Sequence, residues 1–172
     1  MGMTAALYSL SDEHLQQLPD HPHLLGHVMQ ATEPLDDVTL DPVDGFVLAP
    51  DEVAHVDLDK AWHGIHYLLT RTAWGAELPL GFIAAGQPID DEARIFSARE
   101  VAQIAAALAP LDTQSLSANF DPDQMDAIGI YPQIWTDEGQ EALDYCLHYF
   151  EPMKDFIDDT AARKLGMIIF CG

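Results

Sequence analysis

Basic side chains are scarce. Seven Lys and Arg stand against 29 Asp and Glu, the formal net charge is −22, and no Lys or Arg precedes Lys60. A chain this poor in cations has little with which to grip a phosphate backbone, so direct nucleic-acid binding is not expected. An anionic membrane surface is set aside on the same ground. Cysteine is nearly absent too: Cys146 and Cys171 are far apart and sit in apolar stretches. That excludes a disulfide framework and reads as reduced core thiols, hence a cytoplasmic location. No apolar run approaches the roughly 18 residues of a membrane span. Met1 to Leu18 lacks the basic start of a secretory leader and is broken by Ser11, Asp12 and Glu13.

Signature motifs are missing as well. There is no phosphate-cradling loop, no Gly-x-Gly-x-x-Gly after a strand, no Gly-x-Ser-x-Gly elbow and no Cys-x-x-Cys pair. Asp36, Asp37, Asp41 and Asp44 lack the alternating ligands and the glycine of a calcium loop. Nucleotide hydrolysis, serine-nucleophile chemistry and structural zinc are therefore unsupported, and no cofactor is implied.

What is present suits one folded domain. The 172 residues are 48% hydrophobic and 9% aromatic, enough to bury about 70% of the unfolded surface. Met3 to Leu10 reads as a first strand, and Ser11 as the cap of a helix over Asp12 to Leu18. His23 to Ala31 reads as a second short helix, and Thr32 to Pro50 as a proline-punctuated acidic loop. Leu78 to Gly86, with Pro79 near its start and Gly86 past its end, reads as a short helix. Arg94 to Phe96 is a strand. Ser97 and Glu100 form a capping box ahead of Val101, Ile104, Ala105 and Leu108. Short helices broken at Asp121 and Pro122 follow, then a turn at Tyr131 and Pro132. Thr136 is expected to cap a long helix that Pro152 kinks or restarts. Met167 to Cys171 is a buried strand. The sum is an α+β domain of about seven helices and three or four strands, with the terminal strands as neighbours in a small sheet.

The stretch from Asp57 to Arg71 concentrates the unusual polar groups. As a helix capped by Asp57 or Asp59 it gathers Ala61, Trp62, Ile65, Leu68 and Leu69 on one inward arc. His66 falls at the edge beside Trp62, with Lys60, His63, Tyr67 and Arg71 on the other side. Lys60 near the positive end of the helix dipole breaks a local rule, unless an acid such as Asp57 offsets it.

Met1 to Met3 leading into a strand, the spacing Asp59, Lys60, Trp62, His66, Leu69, Thr70, Arg94 before the capping box, and Ile130 to Pro132 before a long helix and terminal strand resemble the YfbM-like family. These bacterial proteins of unknown function have an α+β fold, so the resemblance implies architecture and leaves activity open. The chain departs from the family pattern between Gly86 and Arg94, where a glycine-rich, tyrosine-containing approach is expected and Asp90, Asp91 and Glu92 stand instead.

Each candidate site has an ordinary counterpart. His23 and His27 are spaced to chelate on one helix face, with His21 nearby, but Pro19 and Pro22 unsettle that helix and no glutamate lies between them, so solvated histidines are the preferred reading. His63 and His66 point too far apart for one ion. His66, desolvated by Trp62, is the better acid–base candidate, against a plain core histidine bonded to a carbonyl. Lys60, Arg94 and Tyr131 would complete an anion pocket if the fold joined them; otherwise each forms an ordinary structural bond. Acid most simply maintains solubility. Beyond that, two main functional expectations stand, with metal storage or sensing through the histidines as a third. One is an acidic protein-binding module, inhibitor-like or immunity-like, that docks a basic partner through Asp36, Asp37, Asp41 and Asp44 with Trp62. The alternative is an enzyme acting on a small anionic or polar substrate with Lys60, His66, Arg94 and Tyr131 beside Trp62.

Overall fold

A computed structural model describes residues 2–32, 46–75 and 77–172. The carboxylates of Asp36, Asp37, Asp41 and Asp44 lie outside the described residues. Five strands, β1 (Ala5–Leu10), β2 (His55–Asp59), β3 (Gln87–Pro88), β4 (Ala93–Phe96) and β5 (Gly166–Cys171), form one antiparallel sheet in the order β2-β1-β5-β4-β3. The terminal strands pair along their whole length, from Ala5 opposite Cys171 to Leu10 opposite Gly166. This central position explains the unbroken apolar run of β5, because both of its faces are covered. Met167 and Ile169 enter the larger core with Leu7 and Phe96. Ile168 enters a smaller one with Tyr8, Leu10 and Ile95.

Eight α-helices occur among the described residues: α1 (Asp12–Leu15), α2 (Leu25–Thr32), α3 (Trp62–Thr70), α4 (Ala98–Leu108), α5 (Thr113–Ser117), α6 (Pro122–Ala127), α7 (Trp135–Glu138) and α8 (Gln140–Ala162). Helices α3, α4 and α8 cover the larger core, while α1 and α2 close the smaller. None is long and apolar enough to cross a membrane. The capping box forms as expected: Glu100 N–H donates to Ser97 Oγ at 3.2 Å and Ser97 N–H to Glu100 Oε1 at 3.0 Å. Both cysteines are free thiols.

Five local expectations are corrected. The central helix begins at Trp62, because His55–Asp59 pairs with β1 as an edge strand. Val56 and Leu58 alternate there with His55, Asp57 and Asp59, a period of two that the helical pattern further on obscures. Within α3 the supposed outer side is buried as well, His63 at 1% and Tyr67 at 0% exposure, since the chain after Arg71 and the Tyr131 turn fold over it. Leu78 to Gly86 holds only a 3₁₀ turn, Phe82–Ala84; the carbonyls of Ile83 and Ala85 that a longer helix would use accept from Arg94 instead. Thr136 caps nothing. Its hydroxyl donates to Asp126 Oδ2 at 2.6 Å, and the Asp126 carboxylate also takes the amides of Trp135 and Thr136. The long helix α8 starts only after Gly139 and runs through Pro152 without a restart, the proline lying on its exposed side.

Candidate functional site

The turn between β2 and α3 sets the geometry. Asp59 has a left-handed backbone, φ 45°, and its carboxylate accepts the hydroxyl of Tyr145 from α8. Lys60 N–H donates to the same hydroxyl at 3.2 Å. Burial, and then donation to Asp59, push the Tyr145 phenol upward, so it stays protonated as the clasp of the turn. Lys60 thus lies ahead of the helix, exposed, and forms no ion pair among the described residues. Its side chain and the Tyr131 hydroxyl close on the same residue: a methyl group placed on Gly2 would meet Lys60 Cε at 2.6 Å and collide with that hydroxyl.

From Tyr131 an aromatic stack continues inward. The Tyr131 ring lies on Trp62, centroids 5.8 Å apart and planes 23° apart; Trp62 lies on His63 at 4.9 Å and 8°. Trp62 Nε1–H donates to the Met3 carbonyl at 3.2 Å, which fixes the indole. Both nitrogens of His63 are engaged: Nδ1 accepts Tyr131 N–H at 2.9 Å and Nε2 donates to the Ala73 carbonyl at 2.8 Å. Burial holds its pKa below the usual imidazole value, consistent with this neutral tautomer, and neither nitrogen is left for a metal. Among the described residues no three His, Cys, Asp or Glu side chains gather as a metal site.

Beside Trp62 opens a cleft of about 410 Å³, bounded by Trp62, Trp74, Asp91, Glu92, Arg94 and Cys171 among others. Trp74 is 64% exposed and packs its inner side on His63, ring centroids 4.3 Å apart. Arg94 reaches the cleft, yet its Nη1 and Nη2 donate to the Ala85 and Ile83 carbonyls at 2.6 and 2.5 Å. Burial raises the Cys171 thiol, an effect the Arg94 charge opposes. His66 lies behind the cleft and does not line it. Only 1% exposed, it has no hydrogen-bond partner on either nitrogen among the described residues. Burial lowers its pKa to about 4, with the His63 and Arg94 charges acting in the same direction.

The expected residues therefore form a series rather than one pocket. Lys60 and Tyr131 flank Gly2, Trp62 joins them to the cleft, Arg94 lies in its wall, and His66 is sealed beneath. Trp74 was missed because a lone tryptophan between short loops shows no period. Asp91 and Glu92 were visible only as the acidic departure before Arg94.

The fold and this aromatic edge define an α+β domain built on a terminal-strand pair with the tryptophan-bearing helix α3 buried against it. The chain belongs to a family defined by a domain of unknown function (DUF1877), whose profile spans residues 1–170. It is similar to the crystal structure of YfbM from Escherichia coli, a protein of unknown function. There the TM-score is 0.71 at 16% identity, over 98% of this chain and 99% of that one. At that identity the likeness establishes the shared fold alone. No curated protein matches the chain.

Proposed function

We propose that the protein is an acidic binding module for a basic protein partner. The observation that carries this reading is how the few cations are used. Arg94 donates to two backbone carbonyls, Lys154 Nζ donates to the carbonyls of Ala109 and Leu111 at 3.3 and 2.7 Å, and Arg71 lies over the Tyr67 ring at 5.8 Å. Among the described residues one ion pair joins a Lys or Arg to a carboxylate, Arg163 to Asp159 at 3.8 Å. The acids are thus left uncompensated by the chain's own bases. A field of that sign raises the encounter rate of a basic protein and repels acidic ones.

The test is charge reversal. Wild type and Asp36→Lys/Asp37→Lys/Asp41→Lys/Asp44→Lys are compared for captured partners and for the salt dependence of association. The expected result is a basic partner that wild type retains and the variant loses, with an on-rate falling as salt rises. An identical set of captured proteins for both forms contradicts the proposal.

The enzymatic alternative is favoured by one observation, the Lys60 amine that forms no ion pair among the described residues and lies with the Tyr131 hydroxyl at Gly2. Against it stand an Arg94 whose two Nη groups are engaged and a His66 closed off from the cleft. Protection of Lys60 from acetylation by a small anionic metabolite would support that reading; labelling indifferent to every anion tried would remove it.

A further inference from the structure

The cleft beside Trp62 combines three features. Its outer wall is Trp74, the most exposed of the described aromatic side chains among the large hydrophobics, at 64%. That ring is held rather than dangling, packed on His63 at 4.3 Å and 6.2 Å from Trp62 with the planes tilted 42°. The lining also includes the exposed Asp91 and Glu92, on a loop held by hydrogen bonds. Asp90 Oδ1 accepts the amides of Glu92 and Ala93, each at 2.8 Å, and the Glu92 carbonyl accepts Cys171 N–H at 2.8 Å. Two carboxylates thus outnumber Arg94, which has two of its donors turned to the Ile83 and Ala85 carbonyls.

An indole and two carboxylates lining one cleft attract an organic cation: the ring through its quadrupole, the acids through charge-assisted hydrogen bonds. A planar guanidinium meets both at once, stacking on the ring and donating in a fork, whereas an ammonium is a point charge held by strong hydration. The cleft volume of about 410 Å³ accommodates one long side chain. We infer that the Trp74, Asp91 and Glu92 cleft receives the guanidinium of an arginine side chain presented by the basic partner. The inference deepens the binding-module reading and rests on it for the source of the arginine. It also gives the acidic departure ahead of Arg94 a chemical role.

The probe is N-acetyl-arginine amide, titrated at constant ionic strength while tryptophan fluorescence and backbone amide resonances are followed. N-acetyl-citrulline amide and N-acetyl-lysine amide serve as controls. A saturable response to the arginine probe at Trp74, absent with citrulline and weaker with lysine, is expected. Asp91→Asn/Glu92→Gln should weaken it at least about ten-fold, and Trp74→Leu about five-fold. All three positions are exposed, and matching urea midpoints confirm that the variants fold. No saturable response, an equal response to lysine or citrulline, or an unchanged affinity in Asp91→Asn/Glu92→Gln overturns the inference. The two levels separate cleanly. A partner lost on reversal of Asp36 to Asp44 while the arginine probe ignores the cleft removes the cleft assignment alone. Probe binding at the cleft with no partner lost on reversal removes the wider reading alone.

Discussion

His66 is predicted to be a liability that acid exposes. Its imidazole is 1% exposed and its nitrogens have no partner among the described residues, so protonation inside the fold gains no bond, loses its hydration and meets the positive charge of Arg94. The folded pKa is about 4 against the ordinary 6.5. Above pH 6.5 both folded and unfolded chains hold the ring neutral and the full stability is present. Between pH 6.5 and 4 the unfolded chain takes a proton that the folded one refuses, and stability falls. From pH 8 to pH 5 this single group removes about 2 kcal/mol. His66→Leu deletes the titration without breaking a hydrogen bond, and relieves the desolvation of two polar atoms, so it should be neutral or stabilising by about 1 kcal/mol at pH 7. Urea unfolding at pH 7 and pH 5 measures both effects: the variant's midpoint should fall less than that of wild type. A variant that loses more than about 2 kcal/mol at pH 7, or that keeps the wild-type pH dependence, refutes the reasoning.

Two further outcomes follow from packing and charge. A Cβ at Gly64 would stand 2.5 Å from Trp135 Cη2 and 2.6 Å from Cys146 Sγ, both fully buried, so Gly64→Ala should destabilise by about 1–3 kcal/mol despite the roughly 1 kcal/mol that alanine usually gains over glycine in a helix; a raised thermal midpoint would contradict this. Glu52 is buried, and although burial alone would raise its pKa, hydrogen bonds from Ser11, Ala49 and His14 hold it at about 2. Its contribution is complete above pH 4.5 and disappears as pH falls towards 2. Glu52→Gln should therefore cost about 2 kcal/mol at pH 7 after allowance for solvent screening, and calorimetry should find the gap closing below pH 4.5.

The elements legible from sequence were those whose signal is local or whose burial is complete. Ser97 and Glu100 announced α4 through their own side chains, and Met167 to Cys171 announced a two-sided strand through unbroken apolarity. The illegible ones depend on partners distant in the chain. Nothing near Thr136 says that Asp126 will take its amide and hydroxyl. Nothing in Leu78 to Gly86 says that Arg94 will claim two of its carbonyls. The helix pattern around Trp62 showed the buried stripe but not the second cover that the Tyr131 turn and Ala73 place over His63. For the same reason Lys60 and Tyr131 could be named as candidates, while the meeting of both at Gly2, and the separation of His66 from the cleft, required the fold.

Trp74 reports on the central claim that an aromatic wall stands open in a negative field. Trp62 and Trp135 are 5% and 1% exposed against 64% for Trp74, so collisional quenching reads chiefly the last. Quenching constants for caesium and for iodide, at equal ionic strength and each scaled to free N-acetyl-tryptophanamide, compare a cation and an anion arriving at the same ring. The account predicts a scaled caesium constant well above that of iodide, with the difference shrinking in Asp91→Asn/Glu92→Gln. Iodide quenching as strong as or stronger than caesium would mean that Arg94 governs the cleft, and the assignment of the cleft to a guanidinium would fail with it.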